Sequence, residues 1–367
     1  MDFKKLMRPH LKKVRPYVPG KPIEELRRER NITGEVAKLA SNENPYPPVP
    51  EVIGAIEEEL RQLNRYPNSG SYYLCRDLAE YLSVEPEQIF VGNGSNEIID
   101  LLVRAFINPK DEIVYPFPSF IVYPIVAQLM GVKAVEVPLK EYRLDLEAMK
   151  EAITSRTKIV FICNPNNPTA TYVTREEVER FLDGLRSNII VAFDEAYYEY
   201  VVADDFPDTL QLLQSHPNLI IFRTFSKIHS LSGLRVGYSI SHPDLVTCLH
   251  MVRQPFNVNR VAQAAARAAL RYFDKTKERI DENRDQMKLV RDGLVDLGFG
   301  VPPSQTNFLL ALPPKGAGDL VEELMNRGII VRDMSPFGLV GAMRISIGTP
   351  QENERFLGAI RELMQGV

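Results

Sequence analysis

Lys227 is the residue whose surroundings in the sequence most suggest chemistry. It ends the run Thr224-Phe225-Ser226-Lys227, and Arg235 follows eight residues later. A lysine amine beside hydroxyls and an arginine, at the end of a strand, is typical of an amine that forms a Schiff base with an aldehyde cofactor. Because most lysines are simply solvated, this interpretation needs support from other parts of the chain.

An aldehyde cofactor built on a phosphate-bearing pyridine ring needs an amine, a carboxylate for the ring nitrogen, a flat group against the ring and a phosphate site. Asp194 ends the apolar run 188–194. A carboxylate at the end of a buried strand is costly unless it pairs with a cation, and a protonated ring nitrogen is such a cation. Tyr197 can donate its hydroxyl to the phenolate oxygen of the ring. The alternative role of Asp194 is to cap a helix at a strand-to-helix turn.

Two further segments offer groups for the ring. The loop 164–169 (Asn-Pro-Asn-Asn-Pro-Thr) follows the apolar run 158–163, and its two X-Pro steps favour an extended, rigid backbone. Such a loop can direct the Asn167 amide at a ring oxygen, although proline and asparagine also cluster in ordinary turns. Phe120 offers an aromatic face for stacking on the ring, and the alternative is a core position.

The phosphate site is predicted at the segment 91–97 (Val-Gly-Asn-Gly-Ser-Asn-Glu), which follows a short apolar run and opens a helix. The two glycines permit a tight turn, and the free N–H groups of a helix start suit a phosphate. The spacing is neither that of a Walker loop nor G-x-G-x-x-G, because Glu97 replaces the third glycine. The residues predicted to complete this site are Thr224, Ser226 and Arg235, whose guanidinium matches two phosphate oxygens at once.

The elements that must position these residues follow from hydrophobic patterning. Strands are predicted at 89–92, 112–116, 133–138, 158–163, 188–194, 218–224 and 235–240. Apolar runs of this length, separated by amphipathic helices, predict an α/β fold with a mostly parallel sheet sandwiched by helices. Ligands of such sheets bind at the carboxyl ends of the strands. A capping box at Thr174 and Glu177 marks the start of one helix.

The character of the chain changes past about residue 275, where a long charged helix precedes three short apolar runs. We therefore predict an N-terminal arm and part of a small domain at 1–47, a large cofactor-binding α/β domain at 48–275, and a small α+β domain at 276–367. The arm is expected to cross to the small domain or to another subunit.

Composition excludes several classes of partner. The formal net charge of −4, from 44 basic and 48 acidic residues, argues against binding to nucleic acid or an anionic membrane, since both need a concentrated positive field.

The three widely spaced cysteines Cys75, Cys163 and Cys248 favour reduced thiols in a cytoplasmic protein, with Cys163 as a packed residue. No metal site and no secretory signal are predicted. The uncharged segment 113–132 is interrupted by three prolines, which favours a strand, a loop and a buried helix over a membrane span.

Taken together, these motifs resemble the fold-type I pyridoxal-phosphate aminotransferases, and most closely the histidinol-phosphate aminotransferases. The resemblance extends from residues 39–45 (Leu-Ala-Ser-Asn-Glu-Asn-Pro) to 344–349 (Arg-Ile-Ser-Ile-Gly-Thr), nearly the whole chain. It implies transfer of the amino group of L-histidinol phosphate to 2-oxoglutarate, which yields imidazole acetol phosphate and L-glutamate in histidine biosynthesis. The alternatives are an aromatic amino-acid aminotransferase, a decarboxylase of the threonine-phosphate type, and a cofactor-binding regulatory protein.

The resemblance also assigns roles to residues. Lys227 would hold pyridoxal 5'-phosphate as a Schiff base, and Tyr66 would reach the cofactor phosphate of a neighbouring subunit, which implies a homodimer. The remaining cofactor contacts implied are Ser95, Asn96, Phe120, Asn167, Asp194, Tyr197, Thr224, Ser226 and Arg235. The substrate contacts implied are Tyr17, Asn42, Asn167, Arg332 and Arg344.

Three positions depart from the family pattern. Ala170 stands where relatives usually have glycine, which restricts a positive φ in that loop. Pro47 replaces a glycine of the arm, and 228–230 (Ile-His-Ser) replaces a smaller, glycine-containing stretch. We expect the last two to lie near the substrate entrance and to affect specificity.

Overall fold

The computed structural model describes residues 3–14 and 20–365. Within these ranges the strands are β1 (Ala37–Leu39), β2 (Ile89–Gly92), β3 (Glu112–Phe117), β4 (Lys133–Pro138), β5 (Thr157–Cys163), β6 (Ile190–Asp194), β7 (Leu219–Thr224), β8 (Gly237–Ser241), β9 (Phe308–Ala311), β10 (Ile329–Asp333) and β11 (Met343–Ser346). The helices are α1 (Ile23–Arg30), α2 (Pro50–Leu60), α3 (Tyr72–Leu82), α4 (Ser95–Phe106), α5 (Val122–Met130), α6 (Leu146–Glu151), α7 (Arg175–Leu182), α8 (Thr209–Ser215), α9 (Pro243–Val252), α10 (Arg260–Arg271), α11 (Asp274–Asp296), α12 (Leu320–Asn326) and α13 (Pro350–Met364).

The larger sheet has the order β2-β8-β7-β6-β5-β3-β4 among the described strands. Pairing is parallel from β4 through to β7, while β8 is antiparallel to both β7 and β2. Cys163 is therefore level with Asp194, and Asp194 with Phe222. The carboxyl ends of β5, β6 and β7 meet at one edge, as the strand predictions require. The strand predicted at 235–240 begins two residues later, because Arg235 has a left-handed backbone with φ of 56°.

Helices cover both faces of this sheet. Ile159 and Phe161 of β5 pack with α4, α5 and α9, whereas Val160 and Ile162 pack with α2, α3, α6, α7, α8 and α10. This alternation explains the continuous apolar runs, since each strand buries both of its faces. The segment 113–132 forms most of β3, a loop and α5, as expected, and no helix among the described residues is long and apolar enough to cross a membrane.

A second sheet, with the order β1-β10-β11-β9, packs against α11, α12 and α13. Its first strand comes from the N-terminal segment, where Ala37 pairs in parallel with Ile329. The arm thus joins the sheet formed by the C-terminal residues. These separate sheets support the domain boundaries at 47/48 and 275/276, which stay a prediction.

A buried ion pair fixes the end of β6 against β7. Arg223 Nη2 lies 2.8 Å from Glu195 Oε2, and the two residues are 3% and 1% exposed. The other carboxylate oxygen of Glu195 accepts from the Thr209 hydroxyl at 2.7 Å. The Arg223 guanidinium also lies 3.5 Å from the centre of the Tyr198 ring. Both charges are therefore compensated, although neither reaches water.

We predict that Arg223→Met lowers the free energy of unfolding by about 3–5 kcal/mol, because it leaves the Glu195 carboxylate buried without its cation. The double variant Glu195→Leu/Arg223→Met should lose less, since it removes both charges. Denaturant unfolding of the cofactor-free protein measures both values. Arg327→Met, which breaks the exposed pair with Glu323, is the control and should change stability little. A double variant less stable than Arg223→Met alone would contradict the prediction.

Candidate active site

A cavity of ≈ 430 Å³ opens between the carboxyl edge of the larger sheet and the second sheet. Its walls come from the residues that follow β5, β6 and β7, the start of α4, the segment after β1, and strands β10 and β11. Thirteen of the fifteen predicted site residues line it: Asn42, Ser95, Asn96, Phe120, Asn167, Asp194, Tyr197, Thr224, Ser226, Lys227, Arg235, Arg332 and Arg344. The sequence predictions of these residues therefore converge on one place.

Lys227 lies partly buried in this cavity, three residues after the end of β7. Its Nζ is 5.4 Å from the centre of the Tyr197 ring. Burial, and then the Arg344 guanidinium, lower the pKa of Lys227 from its ordinary 10.5 to about 8, while Glu43 opposes the shift. A substantial fraction of this amine is therefore neutral just above neutral pH, as a nucleophile or a base requires.

Asp194 is 2% exposed at the end of β6. Its Oδ2 accepts a hydrogen bond from the Tyr123 hydroxyl at 2.8 Å, and its Oδ1 accepts from the Ala196 N–H at 3.3 Å. Burial raises the pKa of Asp194 to about 6, and these two hydrogen bonds and Lys227 oppose that rise. No α-helix begins at Asp194, so the helix-capping alternative is wrong. The carboxylate suits a cationic ring nitrogen.

Tyr197, Asn42, Asn167 and Arg344 form one polar wall. The Asn42 amide donates to the Tyr197 hydroxyl at 2.9 Å, which leaves the phenol proton for another acceptor. Asn42 is itself fixed, since its amide oxygen accepts from the Ser346 hydroxyl at 3.1 Å. Arg344 donates to the Asn167 amide oxygen at 2.5 Å, so the Asn167 N–H groups can donate to a ligand oxygen.

Hydroxyls, a guanidinium and a helix start form an anion cradle. Arg235 donates to the Ser226 hydroxyl at 3.4 Å, and the Thr224 hydroxyl donates to Ser226 at 3.0 Å. A Cβ on Gly94, whose φ is 78°, would lie 2.6 Å from Arg235 Nη2, and a Cβ on Gly237 would lie 2.7 Å from the Ser95 nitrogen. The glycines therefore let the backbone close around an anion at the start of α4, and a phosphate fits this donor set.

Two arginines face each other on the second sheet. Arg332 of β10 and Arg344 of β11 are antiparallel partners, and both line the cavity. Arg344 is 8% exposed and donates to the Ala40 carbonyl at 2.7 Å. The Arg332 guanidinium lies 5.8 Å from the centre of the Phe337 ring. Two guanidinium groups that line one cavity suit an anionic group of a ligand.

Residues 34–360 match the family described as aminotransferase class I and II. The chain belongs to this family. It is 42% identical to histidinol-phosphate aminotransferase 2 of Hydrogenovibrio crunogenus, over 97% of this chain and 95% of that one. It is 44% identical to the enzyme of the same name from Pseudomonas fluorescens, over 99% and 98%.

A solved structure of histidinol-phosphate aminotransferase from Sinorhizobium meliloti, in complex with pyridoxal-5'-phosphate, superimposes on this aminotransferase with a TM-score of 0.90. The two chains are 28% identical, and the match covers 98% of each. Together with the family match, this confirms the predicted fold and aminotransferase activity.

One described site residue, Tyr66, does not line the cavity. It is 78% exposed and stacks on Phe256, with ring centres 4.5 Å apart. Its assignment to a neighbouring subunit's site stays a prediction. Tyr17 falls in 15–19, outside the described residues.

The expectation that Pro47 and residues 228–230 lie near the substrate entrance stays a prediction. None of these residues lines the cavity, and Ile228 and His229 are buried at 0% and 7% exposure. His229 packs between Phe225 and Phe273, so the stretch after Lys227 faces the core of the aminotransferase. The sequence does not reveal this because β7 ends just before it, and the turn decides which side chains point inward.

Ala170 has a φ of 66°, although an alanine at positive φ is strained. It is fully buried, and its N–H donates to the Asn166 carbonyl at 2.7 Å. The loop of this aminotransferase therefore keeps the backbone that a glycine would favour.

Sequence reasoning missed two contributors to the site. Glu43 lines the cavity and raises the pKa of Lys227, and its position between Asn42 and Asn44 of the arm motif is the signal that could have identified it. Tyr123 does not line the cavity but contacts Asp194, and its spacing of three residues from Phe120 could have indicated a shared face.

Cys163 lines the cavity as a packed residue, and burial raises its pKa to about 12, so its thiol is unreactive.

We predict that labelling of Lys227 in the cofactor-free aminotransferase, by a small amine-reactive reagent, follows a pH midpoint near 8. The rate should rise with pH through this midpoint, because only the neutral amine reacts. Arg344→Gln should move the midpoint upward by removing a nearby cation, and Glu43→Gln should move it downward by removing an anion. Mass spectrometry of the Lys227 peptide measures each rate. A midpoint near 10.5 that neither substitution moves would refute this electrostatic account.

Proposed function

We propose that this aminotransferase transfers the amino group of L-histidinol phosphate to 2-oxoglutarate, with pyridoxal phosphate as cofactor, and so produces imidazole acetol phosphate and L-glutamate in histidine biosynthesis. The observation that carries the proposal is the similarity to named histidinol-phosphate aminotransferases, at 42% and 44% identity over nearly the whole chain. The opposed arginines of the second sheet support it independently, because both proposed substrates carry anionic groups.

The residues of the cavity fit the cofactor. The anion cradle at Ser95, Ser226 and Arg235 would hold its phosphate, Asp194 its ring nitrogen, and Tyr197 with Asn167 its ring oxygen. Bound pyridoxal phosphate supplies an electron-accepting ring that makes the α-hydrogen of an attached amine acidic. The depth of Asp194 in the protein favours a charged partner there, because an unpaired buried carboxylate would be costly.

Lys227 then moves the proton. Its amine must be neutral to accept the proton from the α-carbon of the substrate. Burial together with Arg344 lowers the pKa of Lys227 to about 8, which makes the neutral form accessible. After accepting the proton, Lys227 Nζ would hold it as an ammonium and could later donate it. The Tyr197 ring, 5.4 Å from Nζ, provides a face that tolerates the charged form.

Arg344 and Arg332 would bind the two substrates in turn. A guanidinium can pair with two oxygens of either a carboxylate or a phosphate, so the same group can serve both half-reactions. Asn167 fixes one edge of the Arg344 guanidinium and the Ala40 carbonyl fixes another, so the arginine is oriented before the substrate arrives.

The direct test mixes purified protein, pyridoxal phosphate, L-histidinol phosphate and 2-oxoglutarate, and follows L-glutamate. We expect glutamate to form at a kcat/KM at least tenfold above that with phenylalanine or tyrosine as donor. Lys227→Ala should abolish it and lose the visible absorbance of the lysine-bound cofactor while the protein stays folded. A preference for an aromatic donor would instead identify an aromatic aminotransferase. Release of CO2 without an oxo acid would identify a decarboxylase.

We also propose that the enzyme is a cytoplasmic homodimer in which Tyr66 serves the neighbouring subunit's phosphate cradle. Free cysteines support a reducing compartment. Tyr66 and Phe256 form an exposed aromatic pair, and Leu60 and Leu63, which precede Tyr66 in the sequence, are 51% and 62% exposed. Large apolar side chains clustered at a surface are typical of an interface.

Subunit mixing tests this arrangement. Tyr66→Ala and Lys227→Ala should each be strongly impaired alone, the first because it weakens the hold on the cofactor phosphate. After the two variants are unfolded and refolded together, activity should recover to roughly a quarter of the wild-type value, because half of the dimers are mixed and each has one intact site. Tyr272→Ala, a tyrosine outside the cavity lining, is the control for Tyr66→Ala. Mixtures that gain no activity would show that Tyr66 serves its own subunit or neither.

A further inference from the structure

Asp194 has a buried partner that the proposed reaction does not use. The Tyr123 hydroxyl donates to Asp194 Oδ2 at 2.8 Å, which is shorter than the 3.3 Å bond from the Ala196 N–H to Oδ1. Tyr123 belongs to α5 and is 0% exposed. This bond joins positions 71 residues apart in the sequence, and Tyr123 itself does not line the cavity.

Aromatic packing fixes the direction of this hydroxyl. The Tyr123 ring stacks on Phe161 of β5, with centres 4.4 Å apart and planes 10° apart. The Phe120 and Tyr123 rings form a T-shaped pair, with centres 5.7 Å apart. Because close-packed rings on two sides hold the Tyr123 ring, the position of its hydroxyl oxygen beside Asp194 is fixed.

We propose that Tyr123 is a positioning residue for the cofactor: its hydroxyl holds Asp194 as an oriented anion, so that the proton of the pair stays on the ring nitrogen. This inference rests on the proposed pyridoxal phosphate chemistry. Tyr123 acts only through Asp194, while Phe120, three residues earlier, faces the cavity itself. One short segment therefore supports both the plane of the ring and its nitrogen.

The electrostatic surroundings explain why Asp194 needs this donor. Burial favours the neutral acid, and the nearby Glu195 carboxylate adds repulsion. Of the groups that oppose protonation, the Tyr123 hydroxyl has the largest effect, followed by the Ala196 N–H and Lys227. Cys163 also faces this pair, but burial raises its pKa to about 12 and keeps the thiol neutral.

Loss of the Tyr123 hydroxyl should shift the proton that Asp194 and the ring nitrogen share. Asp194 and the ring nitrogen share one proton, which lies on the nitrogen when the carboxylate is the weaker base. Loss of the Tyr123 hydroxyl raises the pKa of Asp194, because hydrogen bonds to the ionised form stabilise it. The proton then moves toward the carboxylate, and the ring becomes a poorer electron acceptor. The two oxygens also lose a fixed orientation, since only the Ala196 N–H remains to hold them.

The test uses pyridoxal phosphate labelled with ¹⁵N at the ring nitrogen, bound to the full-length enzyme. In the wild type the ¹⁵N shift should be that of a protonated pyridinium. In Tyr123→Phe it should move toward that of an unprotonated pyridine, and kcat should fall roughly tenfold, as expected for a hydrogen bond to a charged group. Tyr115→Phe is the matched control. Tyr115 is also almost fully buried, and its ring contacts the Tyr123 ring. Its hydroxyl donates to Glu136 and not to Asp194.

A second measurement places Tyr123→Phe in an Asp194→Asn background, where it should change kcat no further because the group through which it acts is gone. An unchanged pyridinium shift in Tyr123→Phe, or an equal loss of kcat in both backgrounds, would overturn the inference. So would a Tyr123→Phe protein that fails to fold while Tyr115→Phe folds, since the hydroxyl would then serve the fold. A wild-type protein that binds no pyridoxal phosphate would instead refute the proposed function.

Discussion

Parallel pairing of β5, β6 and β7 is the constraint on which the site depends. Because the three strands run the same way, their carboxyl ends deliver the Asn167 loop, Asp194 and the Lys227 turn to one edge of the sheet. Each strand is buried on both faces, so its last residue emerges from an apolar layer. A charged residue placed there is poorly solvated from the start, and its chemistry depends on the few groups that can reach it.

That poor solvation acts in opposite directions on the two main reactive groups. Burial raises the pKa of Asp194 to about 6 and lowers the pKa of Lys227 to about 8. Neighbours then adjust each one: the Tyr123 hydroxyl opposes protonation of the carboxylate, and the Arg344 guanidinium makes protonation of the amine less favourable. Near neutral pH the site therefore combines an anion with a partly neutral amine within one small cavity. The Glu195–Arg223 pair is buried beside them and contributes no unpaired charge.

Local sequence predicted those parts of the site that follow strand ends. Asp194 ends an apolar run, and Asn167 and Lys227 follow within four residues of the end of one, so the hydrophobic pattern located them and the parallel fold brought them together. The contact of Tyr123 with Asp194 could not be read in this way, because it depends on how α5 packs over the sheet. The register that pairs Arg332 with Arg344 could not be predicted from the sequence either, since strands of five and four residues carry little information about their pairing. The role proposed for Tyr66 depends on a second subunit, so neither the sequence nor the fold of one chain reveals it.

Arg344 connects the second sheet to the site at the edge of the larger sheet. It extends from β11, yet it donates to Asn167 beyond β5 and to Ala40 beyond β1, so one guanidinium joins three separate segments. The same charge lowers the pKa of Lys227. An anionic substrate group that pairs with Arg344 would offset part of that charge and make the lysine more basic. Substrate binding on the second sheet and proton transfer by Lys227 are therefore coupled through the electrostatic interaction between Arg344 and Lys227. This coupling requires no movement of either sheet.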